Sequence, residues 1–288
     1  MFAEMTIKEV YSLFTNELKL LHTEGEAVAI TNIVFDHYLK LNSTAVVIQG
    51  REKLNEQVFI KLREALLKLK NHVPVQYITG QAWFYNLNFE VNDFVLIPRS
   101  ETEELVLEAI NFLEQQKEKK VLDIGTGSGC IPITIKKNIP DVDVTSIDVS
   151  KPALEVAKRN AKINNAEINF IELDFLKENN HKNLPSFDLI ISNPPYIPEK
   201  EKDILDKNVI AYEPHLALFV PDNDHLIFYK KIANFAENHL EMNGKILLEV
   251  HEDFAAETAA LFSKEKYIVE IKKDMQGKER MLIVSHCR

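Results

Sequence analysis

The chain has 288 residues, 45% of them hydrophobic and 27% charged, with 34 Lys and Arg against 44 Asp and Glu for a net charge of −10. That composition excludes a disordered or fibrous chain, and the length suits one large or two ordinary domains. Two cysteines, Cys130 and Cys287, build neither a disulfide framework nor a zinc site alone, no run nears the roughly 18 apolar residues of a membrane span, and the acidic excess opposes clamping of long nucleic acid.

The first eight residues carry Glu4 before any apolar run, so no secretory leader is expected, and the sparse cysteines fit the reducing cytoplasm. Residues 1–78 hold nine basic and nine acidic side chains, which leaves the whole −10 to residues 79–288. In this neutral part Ile7, Val10, Tyr11, Phe14, Leu18 and Leu21 recur at steps of three and four. Ile30, Val34, Tyr38 and Leu41 repeat the pattern, as do Leu54, Val58, Leu62, Leu66 and Leu69. Such stripes predict three amphipathic helices with links at 22–25 and 42–43, a small bundle over residues 1–74. Nothing in it looks catalytic.

Over 77–97 the pattern becomes aromatic and alternating, through Trp83, Phe84, Tyr85, Leu87, Phe89, Val91 and Val95, with turn residues at Asn86 and Asn92–Asp93. A linking β-hairpin is predicted across 75–97. In residues 98–288, short apolar runs at 121–124, 142–147, 168–173, 187–191 and 245–250 alternate with helix-length segments at 101–117, 131–137, 152–164, 226–242 and 254–262. Alternation of this kind predicts right-handed βαβ crossovers and an α/β, Rossmann-like fold. Runs at 267–271 and 280–285 flank Asp274, Gln276 and Gly277, which adds an antiparallel hairpin and completes a mostly parallel seven-stranded sheet.

The first βα turn reads Asp123, Ile124, Gly125, Thr126, Gly127, Ser128, Gly129. Glycine permits both the sharp turn and a ligand's close approach to the backbone. No Lys-Ser or Lys-Thr follows, so it is not a triphosphate loop, and the spacing is not that of dinucleotide sites. Asp148 ends the second strand, where a carboxylate can accept from two ribose hydroxyls. Asp174 and Phe175 end the third, where an acid can accept from an exocyclic amine and a ring can stack on a base. Three strand ends on one sheet edge thus point to an adenosine-containing cofactor.

The fourth strand runs into Asn193, Pro194, Pro195 and Tyr196. Stopping a strand needs one proline, not this set of four. The Asn193 side-chain oxygen and the Pro194 carbonyl can converge as two acceptors on one planar –NH2 group, with the Tyr196 ring over its plane. Resonance makes an amide nitrogen a poor nucleophile, and two placed acceptors favour the geometry in which its lone pair is available. No His or carboxylate lies within the motif.

Together, residues 123–129 and 193–196 resemble a class I methyltransferase that uses S-adenosyl-L-methionine. More narrowly, the chain is similar over nearly its full length to the protein-(glutamine-N5) methyltransferases of peptide chain release factors, the PrmC/HemK type. The resemblance includes residues 74–80, 96–99, 101–103, 212–214 and 217–218, of which 74–80 and 97–103 are the specific part, since Asn-Pro-Pro-Tyr is shared with enzymes that methylate bases. The resemblance implies cofactor contacts from Gly125, Thr126, Gly127, Ser128 and Gly129, from Asp148 and Phe175, and from Asn193 near both cofactor and substrate; Asp123 before the loop and Asp174 are further candidates for the cofactor from the residues themselves. It implies that residues 193–196 hold the glutamine amide of the release factor's Gly-Gly-Gln loop, that the bundle binds another part of that protein, and that no metal is used. A monomer without direct nucleic-acid binding is expected. Ser100, Ile210 and His251 depart from the family pattern, at positions usual for proline, arginine and glycine. The alternative readings are a methyltransferase acting on amino groups of DNA or RNA, for which a basic groove is missing, and a non-catalytic adenosine-binding protein.

Overall fold

The structure, a computed structural model, describes residues 5–262 and 264–287, so Glu4 lies outside it. The chain forms two compact units, one of residues up to Gly80 joined by Asp206–Tyr212, the other of Gln81–Leu205 and Glu213 onward.

The first unit holds α1 (Ile7–Leu18), α2 (Glu24–Leu39), α3 (Ser43–Gln49), α4 (Glu56–Lys70) and α5 (Val75–Thr79). Thr6 with Glu9 and Thr23 with Glu26 form capping boxes that satisfy the first free N–H groups of α1 and α2. The stripes meet in one core, where Phe14 packs edge-on to Phe35 at 5.5 Å and Leu18, Val34 and Leu62 are fully buried. Helix α3 was not anticipated, because only Val46 of its seven residues is buried and no stripe forms. Its start is local chemistry: Asn42 Oδ1 accepts the Ala45 N–H. Helix α5 also corrects the predicted hairpin, whose first five residues coil and end at Gly80 with φ +69°.

In the second unit the hairpin proper is β1 (Gln81–Phe84) and β2 (Leu87–Glu90), turned by Tyr85 and Asn86, both at positive φ. Residues 91–99 form no strand. There follow α6 (Ser100–Leu113), β3 (Lys120–Ile124), α7 (Cys130–Asn138), β4 (Asp143–Asp148), α8 (Lys151–Ile163), β5 (Asn169–Glu172), the short α9 (Glu178–His181) and β6 (Phe187–Ser192). Short strands β7 (Ile197–Pro198) and β8 (Phe219–Val220) pair across an insertion, which also supplies α10 (Lys207–Tyr212) to the first unit. Then come α11 (Ile227–His239), β9 (Leu240–Glu249), α12 (Ala255–Ala259), β10 (Tyr267–Lys273) and β11 (Glu279–His286).

The large sheet has the order β10-β11-β9-β6-β3-β4-β5, with β11 running against the others. It is the predicted seven-stranded, mostly parallel sheet. Alternation along β3 sends Val121 to the face covered by α6 and α7, and Leu122 and Ile124 to the face covered by α11. The order also creates a switch point: β4 and β5 build outward from β3 on one side, then β6 returns to its other side. Open α/β sheets bind ligands in the crevice outside the strand ends at such a point. No described helix is long and apolar enough to cross a membrane.

Leu62, fully buried in the bundle, tests that unit's core. Leu62→Ala is expected to lower unfolding stability by about 2–5 kcal/mol in urea denaturation; a change under about 0.5 kcal/mol, typical of a surface site, would contradict the packing described.

Candidate active site

Strand β3 ends at Ile124, and the next five residues turn into α7. Gly125, Gly127 and Gly129 take φ of +79°, +54° and +80°, a region in which any other L-residue is strained. A Cβ at Gly125 or Gly127 would meet nothing within 4 Å, whereas at Gly129 it would lie 3.0 Å from Ile133 Cδ1 and 3.2 Å from Ala157 Cβ. The first two glycines therefore leave backbone bare toward open space, and the third lets the loop sit against α8. The Gly125 and Thr126 N–H groups donate to Ile147 O, fixing the loop to β4.

Asp148, the last residue of β4, holds the loop from the other side. Its Oδ2 accepts the Gly127 N–H at 2.9 Å and its Oδ1 the Ser150 N–H at 2.8 Å. Burial raises its pKa, and these backbone donors act against the rise. Each oxygen keeps a lone pair for a further donor.

The loop opens on a cavity of about 380 Å³. Gly125, Thr126, Gly127, Ser128, Asp148, Asp174, Phe175, Asn193 and Pro195 all line it. Phe175 is nearly buried, its ring 4.7 Å from that of His181 and 5.5 Å from that of Phe235. Asp174 is paired with Lys177 at 3.0 Å and accepts the Leu176 N–H. Cys130 also lines the cavity, but its thiol is pushed up to about 12 by burial, which makes it a packing group and not a nucleophile.

Four predicted contacts do not reach the cavity wall. Gly129 lies against α8, and Pro194 sits between two wall residues. Asp123 belongs to the strand, and alternation places it on the Val121 face, fully buried, with Oδ2 2.6 Å from Ser146 Oγ and Oδ1 lacking a partner among the described residues. Tyr196 is turned inward: its ring packs edge-on to His251 at 6.0 Å and its hydroxyl donates to Glu249 Oε1 at 3.2 Å. Burial, followed by the nearby Glu249 charge, raises the Tyr196 pKa, so the hydroxyl keeps its proton. The ring itself is partly buried and does not line the cavity.

The pairing Ile124↔Ser192 places the Asn193 turn beside the glycine loop, and the Ser192 hydroxyl donates to Ile124 O at 2.7 Å. Beyond it stands a buried relay not foreseen from sequence. Asn193 Nδ2 donates to Thr102 Oγ1 at 3.1 Å, Thr102 Oγ1 donates to Glu249 Oε2 at 2.6 Å, and the Tyr229 hydroxyl donates to Glu249 O at 2.9 Å. The facing wall was also missed as a site. It consists of Phe94, Leu96, Pro98 and Arg99, with Pro214, Leu216 and Ala217. Its brace is Glu213, buried at 4% exposure, which accepts the Ile97 N–H and pairs with Arg99 at 2.6 Å. The signal was present in Ile97–Arg99 and Glu213–Pro214, but a carboxylate and its partner 114 positions apart leave no periodic trace.

Comparison with known proteins bears on this geometry. Residues 104–216 match the Methyltransferase small domain and residues 9–80 the PrmC N-terminal domain. A release factor glutamine methyltransferase of Flavobacterium psychrophilum is 40% identical over 285 residues, covering 98% of this chain and 99% of that protein. The chain belongs to the release factor glutamine methyltransferase family. Similar proteins of that name occur in Lactococcus lactis, 41% identical over 94% of this chain and 99% of its own, and in Streptococcus pneumoniae, 37% identical over 97% and 98%. As a family member it is a methyltransferase, with a class I Rossmann-like catalytic unit. Two departures from the family pattern are accommodated locally. Ser100 simply begins α6, and His251 Nε2 meets Glu201 Oε2 at 3.2 Å while its ring packs on Tyr196. Glu201, in an acidic run that the charge pattern alone would place in solvent, is thus partly buried against His251.

Burial pushes the Asp123 carboxyl up to about 7 from its ordinary 3.8, with hydrogen bonds to Ser146 and Thr126 opposing. The folded form holds that proton more tightly than the unfolded chain. Its contribution to stability is therefore full below about pH 4 and lost as pH rises through about 7. Asp123→Asn is expected to flatten this decline in urea denaturation series across that window; a decline parallel to wild type would contradict it.

Proposed function

We propose that this protein transfers a methyl group from S-adenosyl-L-methionine to the side-chain amide nitrogen of the glutamine in the Gly-Gly-Gln loop of peptide chain release factors. The observation that carries the reading is that Asn193 and Pro195 share one cavity with the glycine loop and Asp148, in a chain 40% identical throughout to a protein named for this activity.

The wall residues fit such a cofactor. Gly125 and Gly127 present bare backbone where an added Cβ would find open space, and Asp148 has acceptor capacity left for ribose hydroxyls. Phe175 offers an apolar surface beside Asp174 for the base. When bound, the cofactor supplies an activated methyl group on a sulfonium. The chain's own residues do the rest. Asn193 Oδ1 accepts one N–H of the glutamine amide; the second acceptor is the Pro194 carbonyl, which has no following N–H to satisfy, and since Pro194 is buried between the wall residues Asn193 and Pro195 the amide must enter the turn to reach it. With both hydrogens held, the amide nitrogen is oriented for in-line attack and its lone pair is drawn out of conjugation. The amide nitrogen, made acidic once it has bonded the methyl carbon, would then shed its proton, while the donor would be left as a neutral thioether. The bundle of residues 5–80 then serves to hold another part of the release factor. Direct action on nucleic acid is disfavoured, because residues 79–288 carry the whole −10.

The test gives purified protein labelled S-adenosyl-L-methionine with release factor, with release factor carrying Gln→Ala in its Gly-Gly-Gln loop, or with duplex DNA. Label is expected in the first alone; transfer to either of the others would refute the reading. Asn193→Ala is expected to cut turnover by about 10²-fold or more while cofactor still binds, and near-normal turnover would remove the two-acceptor arrangement.

A further inference from the structure

An amide side chain has two nearly identical ends, and rotation by half a turn exchanges an acceptor for a donor. In the reading above Asn193 must present oxygen to the substrate. With nitrogen presented instead, two N–H donors would face each other and the substrate amide would be repelled. Nothing within residues 193–196 enforces the choice.

The buried relay does. Thr102 has one hydroxyl proton, and at 2.6 Å it is given to Glu249 Oε2. Toward Asn193 the hydroxyl then offers only a lone pair, so it accepts the Nδ2–H at 3.1 Å. Flipping the amide would set Asn193 Oδ1 against that lone pair, with no proton between them. Burial raises the Glu249 pKa, opposed by the hydrogen bonds from Thr102 and Tyr196 and by Arg280; with a hydroxyl donated to each of its oxygens, the group is bonded as a carboxylate that accepts, and it holds the direction as long as it stays ionised. Its second oxygen is occupied by the Tyr196 hydroxyl at 3.2 Å. Thr102 is 2% exposed and Glu249 3%, which denies water the chance to supply a substitute donor. With the nitrogen end of Asn193 engaged, its oxygen end is left for the cavity that the residue lines.

We propose that Thr102 and Glu249 are positioning residues for methyl transfer, setting which end of the Asn193 amide meets the substrate. The carboxylate acts at one remove: it fixes the direction of a hydroxyl, which fixes the face of an amide. Tyr196, turned away from the cavity, belongs to the same device, since its hydroxyl holds the other Glu249 oxygen. The proposal rests on the reading that Asn193 accepts from the substrate glutamine.

Thr102→Val removes the hydroxyl at nearly constant shape, and Thr102→Ser keeps it. Thr102→Val is expected to lower kcat about tenfold or more, with KM for release factor and Kd for S-adenosyl-L-methionine within about twofold of wild type. Thr102→Ser should restore most of kcat. Glu249→Gln, which leaves one acceptor oxygen for two hydroxyl donors, should also lower kcat with KM held. Wild-type kcat in Thr102→Val, equal losses in the Ser and Val variants, or a fall in cofactor affinity that matches the fall in turnover would each overturn the proposal. A second measurement needs no activity. In nitrogen-15-labelled protein, solvent exchange of the Asn193 side-chain N–H protons should quicken about tenfold in Thr102→Val, reflecting loss of a buried hydrogen bond; unchanged exchange overturns the orientation mechanism. If wild-type protein transfers nothing to release factor, the substrate reading fails by itself, and the exchange measurement still decides the orientation.

Discussion

The pairing of β3 with β6 is the constraint on which the site depends. These strands are neighbours in space, though β4 and β5 lie between them in the chain. Their register ends with Ile124 beside Ser192, and the Ser192 hydroxyl closes onto Ile124 O. Because the strands are parallel, both chains leave the sheet on the same edge. The glycine loop and the Asn193 turn therefore open onto one cavity, and each occupies a place where the backbone no longer belongs to the ladder. A slip of one residue in this register would reverse the faces of Val121 and Leu122 and bury the turn. The core on both faces of the sheet thus holds the alignment on which a methyl transfer of fixed geometry depends.

Around that junction the structure separates residues that face the cavity from residues that hold them. Asp148 braces the loop through Gly127 and Ser150, and Glu213 braces the opposite wall through Ile97 and Arg99. Glu249 accepts from Thr102 and Tyr196. Three carboxylates are thereby spent on geometry. In a low-dielectric interior a hydrogen bond to such a group offsets much of the cost of burying it, and once bonded the group is stiff. The partner hydroxyls and amides lose their freedom to rotate, as the proposed transfer by orientation requires.

Much of the architecture was legible from local chemistry. The stripes of Ile7–Leu18 and Glu56–Lys70, the strands of the parallel sheet and the closing hairpin follow from periods of 3.6 and 2, which side-chain burial imposes wherever an element has one wet face. The elements that escaped notice were those that bury little. Helix α3 hides only Val46, and α5 is five residues long. Strand β5 stops at Glu172, so Asp174 and Phe175 lie in the loop beyond it and not on the strand end.

For the site, the sequence by itself determined the turns and their atoms: three glycines able to adopt positive φ, a carboxylate at the end of β4, and an asparagine before two prolines. These are properties of a few adjacent residues, fixed by sterics and by the donors and acceptors each side chain carries. Which of them face the cavity, and which end of an amide is offered there, was decided only by tertiary structure. Asp123 and Tyr196 have the right chemistry and are turned inward by strand alternation and by Glu249. Thr102 and Glu249 lie 147 positions apart, and a hydroxyl proton has no direction until the chain has brought its acceptor within reach.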